Sequence, residues 1–108
     1  MDFGDYQTQA RKFKKYPMEF KVIYPALGLA SESGEVLDKL KKIIRDKNND
    51  MNDDDRVEIL KEIGDVLWYL ATLCDDMHMP LDQAALMNLQ KLNSRLSRDV
   101  ISGSGDNR

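Results

Sequence analysis

Glu32-Ser33-Gly34-Glu35 and Glu62-Ile63-Gly64-Asp65 are matched segments: each sets two carboxylates three residues apart, with a glycine before the second acid. Residues at i and i+3 share one face of an α-helix. Each segment, read as helix, presents two acids side by side, and two such helices packed together gather all four. Like charges that close repel, and burying them without a counter-charge is costly. A hard, oxygen-seeking divalent cation such as Mg²⁺ relieves both problems. The competing reading is a pair of solvated helix faces with i,i+4 pairs such as Glu35 with Lys39. Around the second pair, Thr72 is the one plainly polar side chain between Val66 and Cys74, which describes a largely buried helix with Asp65 at its threshold. Gly34 and Gly64 each cost about 1 kcal/mol against Ala inside a helix. Their matching positions predict close helix contacts that a Cβ would obstruct.

Working outward, Phe3, Tyr6, Ala10 and Phe13 recur at helical spacing, so a first helix is expected from Asp2, as its cap, to Tyr16, with Pro17 ending it. Met18–Tyr24 alternates weakly and reads as a loop or short turn. Pro25 suits the first turn of a second helix, striped by Leu29, Val36, Leu40, Ile43 and Ile44 and running to Arg45 or Asp46. The acidic connector that follows opens like an EF-hand, with Asp46, Asn48 and Asp50. Met51 stands where that loop needs Gly and Val57 where it needs Glu, which excludes calcium there. Asp53 or Asp54 is expected to cap a third helix reaching His78. A fourth, broken from the third by Met79-Pro80, carries Ala85, Leu89, Leu92 and Leu96. The fold class is all-α: an antiparallel bundle of about four helices, occupying residues 1–98. Residues 99–108 form a tail containing Gly and Ser, and by composition Gly103–Arg108 is expected to be flexible.

A chain of 108 residues makes one domain with a modest core. The third helix is apolar around much of its circumference, more than a small bundle covers internally, so a homodimer or homotetramer is expected. A net charge of −3 gives no basic excess to neutralise phosphates, which argues against a partner of polymeric nucleic acid. One cysteine, Cys74, cannot form an internal disulfide, and no leader or membrane-length apolar run is visible, so a cytoplasmic setting is expected.

The two acid motifs, Ala26-Leu27-Gly28-Leu29-Ala30-Ser31 before the first, Val66-Leu67-Trp68-Tyr69-Leu70 after the second, and Asn88-Leu89-Gln90-Lys91-Leu92 with Arg95 further on together resemble the MazG-like all-α nucleoside triphosphate pyrophosphohydrolases. The resemblance implies hydrolysis of a nucleoside triphosphate to its monophosphate and pyrophosphate. It makes Glu32, Glu35, Glu62 and Asp65 the ligands of Mg²⁺ (or Mn²⁺), and one of them, or a neighbouring carboxylate, the general base. It also implies that Asn88, Lys91 and Arg95 bind phosphates and sugar, and that Tyr69 lies near the nucleotide. Lys39 either reaches a phosphate or pairs with Glu35; Trp68 either stacks on a base or belongs to the core. His78, the lone histidine, reads as a capping or surface residue. Base selection in such proteins falls to the first helix and the loop after it, where no base-specifying motif is found. The Gly-containing tail either floats or folds over a nucleotide site. Two other functions share these residues: a phosphoribosyl-ATP-type pyrophosphohydrolase, and a non-catalytic assembly module with a structural ion.

Overall fold

Helix ends show how the sequence builds each element. The computed structural model describes residues 1–108, and every regular element is helical: α1 (Phe3–Ala10), α2 (Ile23–Lys47), α3 (Asp53–Asp76) and α4 (Leu81–Ser97), with 3₁₀ turns at Arg11–Phe13 and Met18–Phe20. Asp2 caps α1 by accepting the Asp5 N–H at 2.7 Å. The helix stops well short of Tyr16, because the chain tightens after Ala10 and is extended by Lys14, so that Lys14 and Tyr16 can reach the end of α3. Pro25 lies in the first turn of α2, where its missing N–H breaks no bond. The cap of α3 is Asn52 rather than Asp53 or Asp54. Its side chain accepts from Asp55 N–H at 2.8 Å while Asp55 accepts from Asn52 N–H at 3.1 Å, a reciprocal capping box. The helix ends at Asp76, two residues before the expected His78. That histidine takes a left-handed φ of 58°, and the N–H groups of His78 and Met79 return to the carbonyls of Asp75 and Cys74 as a Schellman closure.

α2 and α3 form an antiparallel pair, since facing positions rise on one helix as they fall on the other: Gly28 faces Tyr69, Lys39 faces Glu62 and Lys47 faces Asp55. The closest approach is at Gly28, where an added Cβ would overlap the Tyr69 ring. Gly34 and Gly64 behave differently from expectation: a Cβ on either meets nothing within 4 Å. Their side of the helices faces away from the seam, so packing within this chain does not require them.

The small core lies beyond the seam, where Ala10, Ala71 and Leu81 meet under Tyr6, Leu67, Trp68 and Cys74. Buried Gln7 ties three elements there. Its amide donates to Ala71 O (3.4 Å) and Met79 O (3.0 Å), and its oxygen accepts Leu81 N–H (3.0 Å). α4 therefore joins the rest by its first turn and then departs, leaving Leu86, Met87, Leu89 and Leu96 about half exposed or more. Only nine of 108 residues are buried, and the accessible surface is 7908 Å². A compact monomer of 12.4 kDa is expected to show about 6,100 Å². The radius of gyration, 16.8 Å, likewise exceeds the roughly 13 Å expected at this length.

Candidate metal and nucleotide site

Helical spacing from α2 and α3 converges on one acidic cluster. Glu32, Glu62 and Asp65 each offer an oxygen, and the three atoms lie within 4.8 Å of one another. Glu32 and Glu62 are half-buried and Asp65 is exposed. Glu35 stands apart from this trio on the exposed side of α2, yet it still acts on it electrostatically. Burial first, then Asp65, Glu62 and Glu35, raise the Glu32 pKa above the ordinary carboxylate value. Compensation is slight. Lys39 has its ammonium 3.9 Å from Glu62, rather than paired with Glu35.

The donor set fits a hard divalent cation. Oxygens on one octahedral Mg²⁺ lie about 3–4 Å apart, because each sits about 2.1 Å from the ion. The three oxygens, within 4.8 Å of one another, are near that spacing, and Glu35 is one helical turn from Glu32. The site is open to solvent, as an ion that keeps several waters requires.

Tyr69 connects this cluster to an aromatic cleft. Its phenol pKa is raised, first by burial and then by Tyr24, Glu32 and Asp65. The cleft, of about 290 Å³, is lined by Phe13, Lys15, Tyr16, Pro17, Tyr24, Trp68 and Tyr69. Tyr16 and Tyr24 stack with centroids 4.6 Å apart and planes at 16°. Trp68 serves the core as well. Its indole N–H donates to Ala10 O at 3.1 Å, and it packs against the small core of Ala10, Ala71 and Leu81, so only part of it remains for a ligand.

A second acidic pair, which sequence reading passed over, holds the cleft wall in place. Asp76, with 2 % of its side chain exposed, accepts Lys14 Nζ at 2.6 Å, Tyr16 OH at 2.7 Å and Val22 N–H at 3.0 Å. Asp75 accepts Arg11 and Lys14. Val22 is bent to φ 70°, ψ −56°, and Ile23 N–H closes on Lys21 O at 2.8 Å. This is a γ-turn of positive φ, strained for any β-branched residue. The only available signal was Asp75-Asp76 at the end of an apolar run, where two adjacent acids demand cations from elsewhere in the chain.

Asn88, Lys91 and Arg95 share α4 as expected, but the structure does not bring them to the cluster. Lys91 and Arg95 take their acceptors from residues 105 and 106, and Asn88 is exposed. His78 is exposed at the α3–α4 turn.

Residues 25–98 match the MazG nucleotide pyrophosphohydrolase domain. The chain belongs to this family. The match begins at Pro25 and ends just past α4, so it takes in both acid motifs and the cationic helix of this MazG domain. The domain is also 45% identical over 85 residues to the Gene 37 protein of Mycobacterium phage L5, covering 79% of this chain and 75% of that protein. No solved structure matches the chain. No helix of the domain is long and apolar enough to cross a membrane.

Proposed function

We propose that this MazG domain hydrolyses a nucleoside triphosphate to the monophosphate and pyrophosphate, with Mg²⁺ bound at the α2–α3 seam. The observation that carries the reading is the cluster of Glu32, Glu62 and Asp65, within 4.8 Å and opposed by one lysine at 3.9 Å. A divalent cation would relieve that repulsion. Glu32, Glu62 and Asp65, with Glu35 from the next turn, would hold the ion. Bound there, Mg²⁺ neutralises phosphate oxygens and lowers the pKa of water. One of these acids, or a neighbouring carboxylate, would instead accept a proton from an attacking water. Tyr69 and the cleft of Tyr16 and Tyr24 offer flat faces to a base beside the acids, and Lys39 offers a cation at their edge. On the family's pattern Lys91 and Arg95 would contact phosphate, although within one chain they lie apart from the acid cluster and are engaged by Asp106.

The reading includes self-association, as a homodimer or homotetramer. The surface is about 1,800 Å² larger than a compact monomer's, and apolar Leu27, Leu60, Leu89 and Leu96 are among the side chains left open. Light scattering at micromolar concentration is expected to show at least a dimer. The cytoplasmic setting is likewise part of this reading.

The test is pyrophosphate release from a panel of NTPs, dNTPs and phosphoribosyl-ATP, with Mg²⁺ and with chelator. Metal-dependent release from a nucleoside triphosphate supports the reading, and release from phosphoribosyl-ATP alone transfers the site to the second substrate class. An absence of release from every substrate would leave an assembly module.

A further inference from the structure

The tail was expected to be flexible. Instead it forms a hydrogen-bonded turn folded back on α4. Asp99 takes a left-handed φ of 56°, Val100 N–H returns to Arg95 O at 2.8 Å, and Gly103 (φ 128°) and Gly105 (φ 87°) double the chain back. Arg108 locks the turn by donating to the carbonyls of Val100, Ile101 and Gly105. The result places the Asp106 carboxylate 2.7 Å from Lys91 Nζ and 3.2 Å from Arg95.

We propose that the C-terminal half of α4 is a polyphosphate seat that the chain's own Asp106 occupies, so that a phosphate group must displace this carboxylate to bind. The proposal rests on Lys91 and Arg95 being the phosphate contacts of the MazG domain and adds a self-competing group to them. Arg95 is only 7% exposed, and its Nε is a buried donor without an acceptor. One Arg95 terminal nitrogen is shared among Asp106 Oδ1, Asp106 O (2.9 Å) and Gly105 O (3.4 Å). The fork of the guanidinium suits two parallel bonds to one oxyanion, and Asp106 engages it through a single nitrogen. The occupant is therefore a poor match, and its side chain is 77% exposed, where solvent weakens an ion pair. Arg98 donates to Ser94 Oγ and to Arg108 O, and Arg108 to backbone carbonyls, so neither is paired with an Asp or Glu side chain. A carboxylate so held keeps two cations in place and yields to an anion with more charge. Apparent affinity is then reduced by the fraction of molecules in the closed state.

The test is calorimetric titration of the full chain with inorganic pyrophosphate in chelator, so that the acid cluster takes no part. Asp106→Asn is expected to bind about three- to tenfold tighter than wild type, and the gain should vanish when Lys91→Ala is added. Asp99→Asn removes the same charge nearby without a bond to either cation and should give little gain. Circular dichroism checks that helical content is unchanged. The proposal is overturned if Asp106→Asn binds no tighter than wild type, if Asp99→Asn gains as much, or if pyrophosphate binds to none of them. Asp65→Asn should bind as wild type does, and its hydrolysis is measured separately, so failure of the seat and failure of the hydrolase reading are told apart.

Discussion

Helix α3 carries two pairs of acids with opposite surroundings. Near its middle, Glu62 and Asp65 meet Glu32 with only Lys39 near by. At its end, Asp75 and Asp76 meet Arg11, Lys14, Tyr16 and the Val22 N–H. Protonation follows the surroundings. Burial and neighbouring acids push Glu32 up, whereas Asp75 is pulled down, first by its bond to Arg11. For Asp76 burial acts upward, but the bonds from Lys14, Val22 and Tyr16 outweigh it and the pKa falls. Residue type is shared, so the difference lies in compensation. A fully paired carboxylate builds structure, and an unpaired cluster waits for a positive ligand.

The comparison breaks most visibly through activity. Glu32→Gln and Asp65→Asn are expected to lower turnover by at least about a hundredfold, the scale of losing a metal ligand or positioned base, with helical content unchanged. Turnover within tenfold of wild type in both variants would remove the cluster from the chemistry. Asp76→Ala should do the reverse and damage the fold. It leaves Lys14, which is about one-fifth exposed, with Asp75 as its one remaining carboxylate, and leaves Tyr16 OH and Val22 N–H without their acceptor. A loss of about 3 kcal/mol is expected, seen as a fall in Tm of more than about 10 °C. A Tm within a few degrees of wild type would mean that the strained Val22 turn holds without its clamp.

Glycines sharpen the contrast between closed and open parts of the α2–α3 seam. Gly28→Ala places a Cβ in the Tyr69 ring and should cost about 1–3 kcal/mol. Gly34→Ala and Gly64→Ala meet open space and should each stabilise the helix by up to about 1 kcal/mol, measured by urea unfolding. A loss at either of these two would place that glycine against a second copy.

The pH profile is the smallest effect. Asp75 and Asp76 titrate below ordinary carboxylates in the fold, so their stabilisation is present above the unfolded value and lost as pH falls through the lowered one. Glu32 titrates above it, so its repulsion is relieved as pH falls through the raised value. Urea midpoints taken from pH 7 downward should therefore hold or rise slightly before they fall. In Asp76→Asn the acid-side fall should shrink. Tyr16, pushed up to about 12 mainly by burial, adds the opposite limb. Its contribution is intact below about 10 and lost as pH climbs toward 12.

Much of this was legible in the sequence because it depends on local spacing. Helical periodicity located α2, α3 and α4, and the i, i+3 acids fixed which side chains could meet. What spacing could not supply was long-range compensation. Nothing local says that Lys14 and Tyr16 leave α1 to reach Asp76, or that Gln7 caps the α3–α4 turn. The glycine misreading has the same origin. Gly28, Gly34 and Gly64 look alike as breaks in a helical pattern, and only the partner helix decides which one is crowded. Of the two readings of the tail, composition favours the flexible one because it describes the freedom of a chain and omits Arg108, whose donors gather three carbonyls of the turn. Asn52 took the cap from Asp53 because its reciprocal partner Asp55 lies three residues on, a pairing the acidic run obscured.

The most direct test of the α2–α3 seam as a metal centre is calorimetric titration of Mg²⁺, repeated with Mn²⁺, into the wild-type chain and into Asp65→Asn without nucleotide. Saturable binding by the wild type and its loss, or weakening by at least about tenfold, in the variant is the predicted result. Equal binding by both chains, or none by either ion to the wild type, would contradict the account.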